Sequence, residues 1–213
     1  RRRAPTWLLA KGEMMARPVK YDRQEVLTTA MNAFWKNGFE RSSVKSLSES
    51  LGMTRSSFYN AFGSREALFR EAIPQYAAQA PASILDREAG APALYLLTRL
   101  VQEVCRTDAT DPEGRGCMLQ NTVNELCPDD DGLGADMARI VLASVERIEG
   151  LLHTARSDGD LPDTADPHAL ALAIQNLMMG LNVLCKVVRD EAELWLLAKT
   201  TLRGLGVYYP VAE

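Results

Sequence analysis

The sequence predicts an all-α protein in two parts, a three-helix N-terminal head followed by a C-terminal helical domain of about five to six helices. Three observations carry this expectation. Apolar residues recur at spacings of three and four along most of the chain, the period that lines one face of a helix. Cap and turn residues interrupt that pattern at regular points. No window shows sustained alternation of β-branched residues, so no sheet is expected. A length of 213 residues suits one or two domains.

Asp22 opens the first helix, with Glu25 three residues on as an Asp form of the capping box. Val26, Leu27, Ala30, Met31, Ala33 and Phe34 form its apolar stripe. Gly38 stands where a left-handed C-terminal cap belongs, and Phe39 folds back on the core. Ser43 caps a short helix with Val44, Leu47 and Leu51 inward, closed by Gly52. Thr54 caps the next, whose Phe58, Ala61 and Phe62 face inward. Ser64 caps a fourth helix through Leu68, Phe69 and Ala72 as far as Tyr76. Breakers between Pro81 and Ala91 mark the domain boundary, bridged by the fourth helix. Beyond it helices are expected at about 92–107, 117–127, 133–158, 167–189 and 191–205, separated by turn-rich segments such as Asp111-Pro112-Glu113-Gly114. The expected division is an arm at 1–15, a head at 16–80 and a second domain at 81–213. The adjacent Met14 and Met15 suggest a natural start there, with residues 1–13 as leader, tag or read-through.

The chain is 46% hydrophobic and 24% charged, ordinary for a globular protein with a real core. No apolar run approaches the roughly 18–20 residues that cross a bilayer, and the longest, around 177–188, is broken by Gly180, Asn182 and Lys186. No membrane partner or targeting signal is expected. The net charge of −4 hides an asymmetry. Residues 1–80 hold 13 Lys and Arg against 7 Asp and Glu, whereas residues 81–213 hold 11 against 21. A positive head on an acidic body fits nucleic-acid binding by the head alone. Cys105, Cys117, Cys127 and Cys185 are scattered with no C-x-x-C pair, and His153 and His168 are the two histidines. Neither a metal site nor a cofactor is expected, and the thiols read as reduced and cytoplasmic. On its long amphipathic helix His153 reads as solvated or capping.

The segments 43–51 and 54–61 form two short helices about a glycine turn, the helix-turn-helix layout. In that motif the second helix enters the major groove and its first residues meet base edges. Here these are Thr54, Arg55, Ser56 and Ser57. The small hydroxyls permit close approach, and Arg55 can contact a phosphate or pair with guanine. Tyr59 and Asn60, one turn on, can donate to phosphate oxygens, and Ser43 and Lys45 can hold the opposite backbone strand. The run Phe58-Tyr59-Asn60-Ala61-Phe62-Gly63-Ser64-Arg65-Glu66-Ala67-Leu68 closely resembles the "LYxHFxSKEAL" signature of the tetracycline-repressor (TetR) family of bacterial regulators. The likeness spans roughly residues 22–73. It implies a three-helix DNA-binding head, with Arg65 added to the DNA-facing set, a larger helical regulatory domain and a homodimer. Ala61 stands where the family commonly has histidine and Ser56 where it often has glycine, so the operator sequence cannot be borrowed from relatives.

The acidic second half reads as a sensor. Gly116-Cys117-Met118-Leu119-Gln120-Asn121 resembles a "GCLLxN" stretch of a TetR subgroup. Cys117 and Asn121 lie four apart, hence on one helix face. They line a ligand cavity, or Cys117 reacts with electrophiles or oxidants, or it is simply a small core residue. Leu100, Cys117, Asn121 and Asn176 are the candidate effector contacts. Apolar stretches with isolated amides suit an uncharged or weakly polar organic molecule. Asn176 and Asn182 are ligand contacts or bundle polar groups. Leu177, Leu181, Leu184, Leu194, Leu197 and Thr201, on the last two near-continuously apolar helices, form the candidate dimer interface or core. The reading is a repressor that binds a palindromic operator as a homodimer and is released by a small organic effector. An activator, an effector-independent regulator, a Cys117-based redox or electrophile sensor and a thiol enzyme are the alternatives. The enzyme lacks any nucleophile–base–orienter set.

Overall fold

Each helix of the head starts at a side chain that caps it. Asp22 accepts a hydrogen bond from the Gln24 amide, Ser43 from Ser46, Thr54 from Ser57 and Ser64 from Ala67. Every such cap removes one orphan amide and is worth about 1 kcal/mol. The helices so started are α1 (Arg23–Asn37), α2 (Val44–Ser50), α3 (Arg55–Phe62) and α4 (Arg65–Gln79). In this computed structural model residues 22–126 and 132–211 are described. The arm expected at 1–15 and Cys127 lie outside them.

Helix α4 runs past the expected end at Tyr76, straight through Pro74. Pro74 is exposed and forfeits one backbone bond. The helix holds because Tyr76, one turn on, is locked on both sides. Its ring meets Trp35 edge-on at 5.2 Å, and its hydroxyl accepts from the Met118 amide at 3.1 Å. A 3₁₀ turn (Pro81–Ser83) and α5 (Ile84–Arg87) lead into the larger part, composed of α6 (Ala93–Thr110), α7 (Met118–Glu125), α8 (Leu133–Ser157), α9 (Pro167–Leu184) and α10 (Glu191–Gly204). Helix α9 ends five residues before the expected 189. After it the Lys186 and Val187 amides bond to the carbonyls three residues back, a tightened turn. The Arg189 side chain then reaches across to the Asp111 carbonyl.

Two apolar cores form. One fills the body, where α8 lies along α9 and α10 packs against α6. The other gathers Phe34, Phe39, Phe58, Phe62, Leu68 and Phe69 of the head, and it also takes in Met118 of α7 and Leu133 and Met137 of α8. The head therefore sits on the body through side chains that belong to both.

The α6–α7 loop is the tightest point of this junction. Gly116 has φ +66, and a Cβ there would strike the carbonyl and side chain of Asn182. Such a conformation is open to glycine at little strain and to other residues at a penalty. Gly116→Ala is expected to destabilise the protein by roughly 1–3 kcal/mol. Urea unfolding followed by circular dichroism checks this, and a midpoint equal to wild type would show that the loop tolerates a side chain.

Candidate nucleic-acid interface and ligand cavity

Helix α3 is anchored from beneath. Phe58 and Phe62 are buried and meet edge-on at 5.5 Å, which turns the opposite face outward. On that face Thr54, Arg55, Ser56, Tyr59 and Asn60 are exposed, with Tyr59 at 52%. Ser43 and Lys45 are exposed at the start of α2. Four of the expected contacts are engaged within the protein, Ser43 and Thr54 as N-caps and Ser57 and Arg65 with their neighbours. The Ser57 hydroxyl lies 2.9 Å from Thr54 Oγ1, inside the cap. Arg65 stacks over the Phe39 ring at 4.0 Å and donates to the Phe39 carbonyl at 3.2 Å, so it clamps the α1–α2 turn instead of reaching outward. This corrects its place in the DNA-facing set. The motif resemblance identifies the position but cannot say which way so long a side chain folds.

A cavity of about 330 Å³ opens inside the body, beneath the head. Leu100 and Cys117 line it, as expected. Asn121 does not; it borders an outer groove, where Nδ2 donates to the Arg115 carbonyl at 2.7 Å and Oδ1 accepts from Lys186 at 3.0 Å. Asn176 is exposed on the far side of α9, which removes it from the effector set. Asn182 is a clasp: its Oδ1 accepts from the Cys117 amide, and its Nδ2 is 3.4 Å from Asn121 Oδ1. Asn182 also borders the cavity, so of the two amides weighed as ligand contacts it is the one placed there. The wall carries further polar groups that the sequence reading passed over, among them Tyr76, Asp108, Gln120 and Gln175. Asp108 and Gln175 fall at buried, inward positions of α6 and α9. A polar residue at an inward position of the helical period is the signal that could have found them.

Burial pushes the Cys117 thiol above its ordinary value, against a hydrogen bond with Tyr76 that lowers it. Arg115, its neighbouring cation in sequence, is turned away onto Asp111 and lies 3.8 Å over the Trp35 ring. A reactive thiol needs the opposite surroundings, so Cys117 behaves as cavity wall. Cys105 and Cys185 are likewise pushed up to about 12 by burial, with the nearby Asp108 charge adding to the shift. Among the described residues no cluster of His, Cys, Asp and Glu could hold a metal, and no helix is long and apolar enough to cross a membrane.

Cavity and head are tied through the α6–α7 loop. The Trp35 indole donates to the Gly116 carbonyl at 2.7 Å, and the Glu40 amide donates to Glu125 of α7 at 2.9 Å. Arg70 of α4 pairs with Asp136 of α8 at 2.6 Å. At the loop's start Asp111 is bonded by the backbone and guanidinium of Arg115. Burial would raise its carboxyl, but these bonds hold it below the ordinary range.

The last two helices expose an apolar stripe. Leu172, Asn176, Met179 and Val183 follow one another at spacings of four, three and four on the outer side of α9, and Leu196 and Leu197 lie on α10. Val183 and Leu196 are 58% and 61% exposed. Leu177, Leu181 and Leu194 of the expected interface are instead buried in the protomer's own core, while Leu184 packs against it. Leu197 is outward and Thr201 half-buried. Helices apolar on nearly every side offer no periodicity to tell the inner stripe from the outer one.

Asp108 titrates in an unusual range. Desolvation raises its pKa to about 6, against the Cys185 thiol and the Arg189 and Lys186 charges that lower it, while Asp111 adds to the rise. With the unfolded carboxyl near ~3.9, the native state binds the extra proton between those values. Stability is greatest below that window and falls as pH rises through it. Asp108→Asn is expected to flatten the pH dependence between about pH 4 and 6 and to raise neutral-pH stability by on the order of 3 kcal/mol. Thermal unfolding across that window checks it; a variant that still loses stability on the same slope would assign the effect elsewhere.

The comparisons agree along most of the chain. Residues 26–72 match the family model described as bacterial regulatory proteins, tetR family, and residues 93–200 match the tetracyclin repressor-like C-terminal domain. The HTH-type transcriptional repressor ComR of Escherichia coli is 25% identical over 88% of this chain and 90% of its own length. The HTH-type regulator YezE of Bacillus subtilis is 28% identical over 83% and 92%. A structure of a cysteine-substituted TetR family regulator, CifR, in complex with 26-base-pair operator DNA superposes with a TM-score of 0.78 at 28% identity, covering 88% of this chain and 98% of that one. The chain belongs to the TetR family of bacterial regulatory proteins, and it is a ligand-responsive, DNA-binding transcriptional regulator, not an enzyme.

Proposed function

We propose that the protein is a cytoplasmic repressor that binds a palindromic operator as a homodimer and leaves it when a small organic molecule fills the cavity beneath the head. The observation that carries this reading is the outward face of α3, small and exposed around Arg55, over a core-anchored Phe58 and Phe62. ComR, a repressor, and CifR, crystallised on operator DNA, support it. Residues 16–80 form the DNA-binding unit and residues 81–213 the sensing and dimerisation unit. A two-fold dimer places two recognition helices about 34–36 Å apart, or a multiple of it, to meet successive major grooves.

Release follows from the junction. The cavity shares Trp35, Tyr76, Gly116 and Cys117 with the contacts that seat the head. A ligand pressing on that wall favours a different seating of α1 and α4, and so a helix spacing that no longer fits the duplex. It shifts the equilibrium only as far as it binds one seating better than the other. The half-buried, unactivated Cys117 favours reversible filling of the cavity over covalent induction.

A gel shift on the DNA upstream of the protein's own coding sequence tests the reading directly. Arg55→Ala is expected to lower operator affinity by roughly 1–3 kcal/mol with the melting temperature unchanged. Wild-type affinity would remove Arg55 from the interface, and a melted fold would make it structural. Dimerisation is tested at the outer stripe: Val183→Asp with Leu196→Asp is expected to give a folded monomer at micromolar concentration, since an unpaired charge is expensive at an apolar interface. A variant that keeps the wild-type mass in analytical ultracentrifugation would place the interface on another face.

A further inference from the structure

The cavity wall is not evenly polar. Three buried oxygen atoms on it have no hydrogen-bond partner among the described residues: Asp108 Oδ2, Gln120 Oε1 and Gln175 Oε1. Their side chains come from α6, α7 and α9, and each residue is at least nine-tenths buried, at 6%, 9% and 5% exposure. Polar atoms so deeply buried are ordinarily paired, and an unpaired charged one is the most expensive of all. The two glutamine amides can rotate to offer either oxygen or nitrogen. Asp108 has no such freedom, because an ionised carboxylate only accepts.

The rest of the wall gives that carboxylate no neutralising partner. Among the described residues Arg147 is the one other charged residue lining the cavity, and it is paired with the exposed Asp86 at 2.6 Å. Beyond the wall, the Cys185 thiol bonds to the carboxyl, and the Arg189 and Lys186 charges act on it only from a distance. Arg189 spends its guanidinium on the Asp111 and Cys185 carbonyls, and Lys186 reaches Asn121 in the outer groove. Much of the remaining wall is apolar, including Leu85, Leu100, Val104 and Met178. The site thus presents one fixed negative charge at the end of an apolar chamber, flanked by two adaptable amides.

Resting on the regulator reading above, we propose that the effector carries a protonated nitrogen with N–H donors, an amine or amidine, on an apolar body, and that Asp108 is the residue that recognises it. The nitrogen donates to Asp108 Oδ2, and Gln120 and Gln175 accept its remaining hydrogens. The apolar body fills the chamber towards Leu100 and Met178. This refines the composition-based expectation of an uncharged or weakly polar ligand, which averaged over the cavity and missed its single buried acid. Carboxylates are repelled by the same residue.

The test uses the full-length protein and a matched set of probes: phenylbutylamine, phenylbutanol and phenylbutyrate, alike in body and different in head group. Isothermal titration calorimetry is expected to show the amine binding at least about tenfold more tightly than the alcohol, and the carboxylate more weakly than both. In Asp108→Asn, whose fold is checked by circular dichroism, the amine's advantage over the alcohol is expected to vanish. The proposal is overturned if the three probes bind alike, if none binds, or if Asp108→Asn retains the preference for the amine. A gel shift on the upstream DNA with the same samples separates this from the regulator reading. Wild-type protein that holds its operator yet ignores the amine overturns the ligand class alone. Asp108-dependent amine binding by a protein that shifts no upstream DNA upholds the ligand class and overturns the repressor.

Discussion

The architecture depends on how the short loop between α6 and α7 is held. Gly116 takes a backbone conformation suited to glycine, and Asn182 presses on it while accepting from the next amide. Because the Asn182 side chain is buried on α9, the loop is registered against the body's core and not against solvent. The Gly116 carbonyl then becomes the acceptor for Trp35, and the Met118 amide the donor to Tyr76. One buried amide on α9 thereby sets the position of two aromatic residues of the head. A packed junction of this kind has a few discrete seatings and no continuous range of them, which is what a switch requires.

The same junction explains why stability and sensing are separated in space. The head and body cores contain the large, fully buried side chains, such as Phe34, Phe58, Leu97 and Leu152. Between them, Asp108, Gln120 and Gln175 carry buried polar atoms without partners among the described residues and line a chamber. A buried carboxylate raised to about 6 is a standing penalty on the folded state at neutral pH. It is tolerated because the α8–α9 and α6–α10 packing supplies ample apolar burial elsewhere. Local destabilisation at a binding surface is where ligand affinity comes from, since a donor that satisfies the site relieves the penalty.

Much of the fold was legible from the chain alone. The N-caps Asp22, Ser43, Thr54 and Ser64 act as expected, because capping is a local matter of one side chain and an amide two or three residues away. Helices α6, α8 and α10 fall within three residues of their expected ends, because their apolar period and flanking turn residues are local signals too. The α3 face was equally readable, since burying Phe58 and Phe62 at a spacing of four leaves Arg55, Ser56 and Tyr59 outside. What failed was directional. Arg65 folds back onto Phe39, Asn176 points to the outer stripe, and Asn121 faces the outer groove.

Sequence by itself determined the helices, their caps, the helix-turn-helix and the family, all of which rest on interactions within a few residues or on a compact motif. Tertiary structure alone decided which stripe of α9 and α10 is core and which is surface, because both stripes are apolar and only packing distinguishes Leu181 from Val183. It also decided the cavity and what lines it. Asp108, Gln120 and Gln175 are separated by many residues in the chain, and each alone is an unremarkable polar side chain. Their common chamber exists only because α6, α7 and α9 close around it, and that closure depends on long-range burial that no local pattern encodes.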